Sequence, residues 1–144
     1  MFGLLLVVHL VATSMMAGLI WFVQLVHYPL FAKVGQQNFV GYELVHQRRT
    51  AWIVGPLMLV EGLSVIAIFF WRQDDFNYVL PLMGLVMLGS IHLSTIFLQV
   101  PKHRKLSSGL NNETVTQLVK GNWIRTFGWS ARTVLAAIMV LLVI

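Results

Sequence analysis

The chain has 144 residues, 58% of them hydrophobic and only 10% charged, with mean hydropathy +0.78. A water-soluble domain is about 45–50% apolar and about 25% charged, so a globule in water, a disordered chain and a coiled coil are excluded and a membrane protein is indicated. The absence of cysteine removes disulfides, thiolate metal ligands, c-type haem attachment and a cysteine nucleophile, and the net charge of +5 sets ten Lys and Arg against five acids.

Four apolar runs follow one another: Phe2 to Phe31, Trp52 to Trp71, Val79 to Val100 and Thr126 to Ile144. A helix needs about 20 residues to cross roughly 30 Å of hydrocarbon, so each run is long enough to span. The expected fold is all-α, one membrane-embedded domain over residues 1–144 built as a four-transmembrane-helix bundle. The first helix, about 3–32, has no basic residue in front of it and stays apolar to Phe31, so it reads as an uncleaved anchor rather than a secretory signal. The second, about 36–71, begins well before its apolar run because no turn cluster separates Gln36 from Thr50, and a kink is expected at Gly55-Pro56. The third covers about 78–103, where Pro101 either kinks it or ends it at Val100. Ser107-Ser108-Gly109 forms a turn, and Asn111-Asn112-Glu113 supplies cap candidates for a fourth helix over about 112–144.

Basic residues sort by connection. Lys33, Arg48 and Arg49 fall in one segment and Lys102, Arg104, Lys105, Lys120 and Arg125 in another, whereas the 72–78 connection has Arg72 offset by Asp74 and Asp75. The positive-inside rule then puts both termini outside and both basic segments in the cytoplasm, with the helices extended on that side of a cell (inner) membrane. Positive charge that flanks spans suits anionic headgroups of the bilayer and excludes a nucleic-acid partner.

The remaining polar residues are too costly to sit at random inside a bundle. Residues 3, 4, 7, 11 or 18 apart share a helix face. This rule aligns His9, Thr13, Gln24 and His27 on the first helix, and Glu43, His46, Thr50 and Glu61 on the second. It aligns His92, Thr95, Gln99 and, if the helix runs on, His103 on the third, and Asn122, Arg125, Trp129 and Arg132 on the fourth. Each helix carries one polar stripe, and four stripes meet most simply in the bundle interior. Counting residues from the turns at about 1.5 Å each brings His27, Glu43, His46, His92, Asn122 and Arg125 to one layer, with Arg49 and Gln99 at its margin.

Glu43 and His46 form a Glu-x-x-His pair on one helix face, an element of carboxylate-bridged di-iron bundles, but no second such pair is evident. Three histidines and one glutamate, His27, His46, His92 and Glu43, suit a single Fe, Cu, Mn or Zn ion with an open position. Three other readings stay open. Glu43 pairs with Arg125 or Arg49 and the histidines only bridge helices; His or Glu shuttles protons in a metal-free cavity; or two histidines ligate haem. Deeper in the span, Glu61 is expected to pair with Arg132. Trp21, Trp52, Trp71, Tyr28 and Tyr78 fall near span ends as interfacial anchors, whereas Trp123 and Trp129 adjoin the polar layer.

At Gln24-Leu-Val-His27-Tyr-Pro-Leu-Phe31, Tyr42-Glu43-Leu-Val-His46-Gln-Arg48-Arg49, Gln99-Val-Pro101-Lys-His103 and Asn122-Trp123-Ile-Arg125-Thr-Phe-Gly-Trp129 the chain resembles a family of small four-span membrane proteins that includes the fungal anthrone oxygenases. The resemblance implies a four-helix membrane bundle and oxygen-dependent oxidation of an aromatic or quinone-like substrate. The expectation that follows is a membrane oxidoreductase whose hydrophobic substrate enters from lipid. In it His27, His46, His92 and Glu43 hold the metal, while Arg125, Asn122 and Arg49 stabilise negative charge on an oxygen atom. The competing expectations are a cytochrome b-like electron carrier, with His27, His46 and His92 as its candidate haem ligands, and a non-enzymatic accessory subunit or small transporter. A homo-oligomer or larger membrane complex is compatible with each.

Overall fold

The computed structural model describes residues 1–143 and is all-helical among them. Four helices, each long and apolar enough to cross a membrane, account for most of the chain: α1 (Phe2–Lys33), α2 (Gln36–Phe70), α3 (Val79–Leu106) and α4 (Asn112–Leu141). Each packs against its neighbours in chain order, and α1 closes the ring on α4, which gives an up-down-up-down bundle. One end of the bundle carries the basic α1–α2 and α3–α4 connections; the other carries both termini and the 71–78 connection.

Local chemistry sets the turns. Gly35 between α1 and α2 has φ +80°, a conformation open to glycine because it has no Cβ. The fourth helix starts as its sequence indicates, with the Asn111 side chain accepting from the Thr114 N–H at 2.7 Å. Its expected extension to residue 144 stops at Leu141, and Ile144 lies outside the described residues. The second helix continues through Pro56 to Phe70.

The third helix also continues through Pro101, ending at Leu106, three residues beyond the sequence expectation. The reason is a wider turn at Thr95–Gln99, with i→i+5 hydrogen bonding, placed just before the proline. A proline ring crowds the carbonyl four residues earlier and offers no N–H, and a wide turn relieves both faults without ending the helix. The first helix repeats the device, with a wide turn at Val23–His27 followed by Pro29.

The outward faces are apolar, unlike those of a water-soluble bundle, and the interior mixes apolar and polar side chains. Outward faces carry Leu4, Val11, Leu25, Leu59, Leu63, Val86, Phe97 and Val134, all exposed, a surface that suits contact with a lipid bilayer. Buried positions include His9, Thr13, Gln24, Glu43, Glu61, Gln99, Asn122, Arg125 and Arg132. The interior apolar residues form two clusters. One, at the basic end, contains Ile20, Phe31, Phe39, Ile91, Leu118 and Trp129; the other, at the terminal end, contains Leu6, Ile68, Phe76, Ala136 and Met139.

Candidate functional site

The polar stripes of α1, α2 and α3 converge near the basic end. His27 and His46 meet directly, Nε2 to Nδ1 at 2.8 Å, and Thr50 lies 3.1 Å from the same His46 nitrogen. Equal counts from the Gly35 turn would set His27 opposite Glu43, yet it meets His46 one turn further in. Side chains lean toward the N-terminus of their own helix, so on antiparallel α1 and α2 they lean in opposite directions and meet with their Cα atoms offset.

Glu43 is fully buried, and its partner is neither Arg125 nor Arg49. Its Oε1 lies 2.6 Å from His103 Nδ1 and accepts from Gln47 Nε2 at 2.8 Å. His103 Nε2 in turn lies 2.9 Å from the Tyr28 hydroxyl. A carboxylate only accepts, so Nδ1 carries the proton, and Nε2 is left to accept from the Tyr28 O–H. Gln47 anchors the arrangement to the end of α3 by donating to Ser107 Oγ at 2.8 Å. Phe31, with no exposed surface, packs edge-on against His27, Tyr28, His46 and His103 and fixes their rings.

A second hydrogen-bonded group joins α1 to α4. Asn122 Nδ2 donates to Gln24 Oε1 at 2.9 Å, Gln24 Nε2 donates to the Val119 carbonyl at 3.2 Å, and Arg125 NH1 donates to Asn122 Oδ1 at 3.2 Å. Asn122 therefore has both ends occupied and holds Arg125 in place; it does not line the site as the sequence suggested.

Between α2 and α3 the two groups border one cleft of about 480 Å³, walled by Tyr28, His46, Gln47, Thr50, Ala51, Val54, Thr95, Gln99, Val100, His103, Arg104, Ser107 and Arg125. Ala51, Val100 and Arg104 are exposed at its rim, so it opens on the outer face of the bundle. Several buried polar atoms on or beside its wall lack partners: Glu43 Oε2, both amide atoms of Gln99 and Arg125 Nε. Buried polar atoms in native proteins are mostly paired, so this group is suited to take up water, an ion or a ligand; Glu61 Oε2, Ser94 Oγ, Trp129 Nε1 and Arg132 Nε are likewise unpaired away from the cleft.

Among the described residues, Glu43, His46 and His103 form a group that could hold a metal ion, each offering one ligand atom within 4.8 Å of the others. One carboxylate oxygen and two imidazole nitrogens form a donor set for a borderline divalent ion, and the orphaned Glu43 Oε2 fits that use. Binding there takes one His103 nitrogen out of its present hydrogen bond.

Two expected members fall away. His92 turns to its own helix, with Nδ1 2.8 Å from the Leu88 carbonyl, and it does not line the cleft. Arg49 is exposed and lies outside the cleft. Haem does not suit His27 and His46, whose rings touch and leave no room for a porphyrin plane between them. Conversely, Tyr28 and Gln47 belong to the site although nothing in the polar stripes singled them out; Tyr28 is buried and is not an interfacial anchor. Trp129, 1% exposed, lies in the core. Deeper, Arg132 donates to Glu61 and to the Gly84 carbonyl, the pairing the sequence indicated. Family models, curated proteins and solved structures all return no match to the chain.

Proposed function

We propose that the protein is a membrane-embedded oxidoreductase of a cell (inner) membrane, with both basic connections in the cytoplasm. It acts on a hydrophobic aromatic or quinone-like molecule that enters the cleft between α2 and α3 from the bilayer. The observation that carries this reading is the convergence of Glu43, His46 and His103 beside a cleft whose wall keeps unpaired polar atoms. The resemblance of the site segments to the family that includes anthrone oxygenases makes oxygen-dependent oxidation the first chemistry to test.

Glu43, His46 and His103 would hold an Fe, Cu, Mn or Zn ion; a redox-active ion supplies the electron-transfer and oxygen-handling chemistry that the amino acids lack. The chain's own part is to bind and orient. Ala51, Val54 and Val100 offer apolar contact to the substrate body, while Arg125 and the Gln99 amide direct donors at an oxygen atom. His27 holds the His46 ring by its Nδ1, so the opposite nitrogen is the one presented to an ion.

Elemental analysis and an absorption spectrum of protein purified in mild detergent provide the test. The expected result is about one transition-metal ion per chain, no Soret band, and loss of the metal in Glu43→Gln and His103→Ala while His92→Ala retains it. A folded wild-type protein that stays metal-free after incubation with each of the four ions would sink the metal reading. A second reading then stands on a specific observation, the chain of hydrogen bonds Glu43–His103–Tyr28. It makes the cleft a metal-free acid–base site in which Tyr28 faces the substrate.

A further inference from the structure

Four charged side chains are buried among the described residues, and they differ in how their charge is met. Arg132, 1% exposed, has Glu61 beside it and the Gly84 carbonyl as a further acceptor. Glu43, with no exposed surface, accepts from His103 and Gln47. Arg125 is 8% exposed and donates to the neutral Asn122 amide, and among the described residues no carboxylate lies within ion-pair distance of it. Its Nε has no acceptor at all. A guanidinium cannot shed its proton to escape burial, so in an apolar bundle it needs a counter-charge.

The cleft supplies the place for one. Arg125 lies on its wall, and so does Gln99, 1% exposed with its amide N–H groups unpaired. Arg104 stands at the rim, and no acid lines the cleft. Around this oxygen-seeking floor the wall is apolar at Ala51, Val54 and Val100.

We propose that the cleft binds an amphiphile bearing an anionic oxygen group, such as a carboxylate, phenolate or phosphate, which forms the missing ion pair with Arg125 and accepts from Gln99, its apolar body lying between α2 and α3. This deepens the functional reading by naming the charge state of the ligand, and it rests on that reading only in taking the cleft as the binding site. The pairing fixes orientation, with the charged group at the floor and the apolar body toward the opening. A charge-assisted hydrogen bond out of bulk water is worth more than a neutral one, so acid and neutral ligands of one shape are told apart.

Calorimetric titration in neutral detergent tests this without any metal. The probes are 2-naphthoate and its neutral counterpart 2-naphthylmethanol, the expected result being about tenfold or more tighter binding of the acid to the wild type. Arg125→Gln and Gln99→Leu should each erase most of that preference, Arg125→Lys should keep part of it, and Arg49→Gln, an equal loss of charge outside the cleft, should keep all of it. Equal affinity for the two probes, or a preference that survives both Arg125→Gln and Gln99→Leu, overturns the proposal. Should Arg125→Gln not fold, Gln99→Leu and Arg125→Lys decide alone. Competition by phosphatidylglycerol, but not phosphatidylcholine, assigns the anionic group to a lipid headgroup; no competition by either assigns it to a free ligand. A metal-free protein that passes this test retains the anion site and loses only the redox reading.

Discussion

Glu61 and Arg132 form the costliest contact in the molecule to break from one side. Both are essentially inaccessible, and among the described residues each is the other's only charged partner. Glu61→Leu strands a guanidinium and Arg132→Leu strands a carboxylate, and either should destabilise by about 3–5 kcal/mol, because removing one member leaves an uncompensated buried charge. The double replacement Glu61→Leu with Arg132→Leu should recover most of that loss. Thermal unfolding in detergent of the two single variants and the double variant gives the coupling directly; simple additivity of the two losses would show that the pair contributes nothing as a pair. The Glu43 contacts differ in kind. Glu43 Oε1 meets a histidine and an amide, whereas Glu61 Oε1 is tied to a permanent cation, and in each the second carboxylate oxygen is unpaired.

At the scale of elements, small residues set how closely α3 and α4 approach. A Cβ at Gly128 would stand 2.7 Å from Ile91 Cγ1 and 2.9 Å from its Cδ1, and Ile91 is itself buried. Gly128→Ala should therefore cost about 1–3 kcal/mol through overpacking. Ile91→Ala in that background should cost less than in the wild type, and unfolding midpoints of the four proteins check it. Such backbone contacts leave no trace in hydropathy. The polar stripes did, because scarce charge makes each buried polar residue visible. Helix phase alone brought out His27, Glu43, His46, Gln99 and Arg125. It failed on α3, where His92 and His103 are eleven residues apart and an ideal helix gives them one face. The wide turn at Thr95–Gln99 lies between them and rotates everything beyond it, so one turns to its own backbone and the other reaches Glu43. Pro101, which in the sequence reads either as a kink or as the helix end, is the residue that goes with that turn. Tyr28 was hidden for a similar reason, since an aromatic next to a proline near a span end looks like an interfacial anchor until the turn at Val23–His27 carries it inward.

For the whole molecule, the four spans were legible from length and composition, whereas the choice of His103 over His92 required the packing of three helices. The orientation proposed from the charge distribution is open to a clean experiment, because the sequence has no cysteine. In intact cells an impermeant maleimide should label Asp74→Cys and leave Ser108→Cys unlabelled until the membrane is opened; the opposite pattern would invert the topology. The interior is not continuous along the bundle axis. His9, Thr13, Glu61, Ser64 and Arg132 form a polar belt across it, with the larger apolar cluster and the cleft on one side and the smaller cluster on the other. Phe2 and Val143 pack at the smaller cluster, where Phe2 rests edge-on against Phe76 at 5.1 Å. The belt holds all four helices by polar contact, α1 to α2 through His9–Ser64 and Thr13–Glu61 and α4 to α2 and α3 through Arg132, so the terminal end and the cleft end are two compartments joined by a cross-tie.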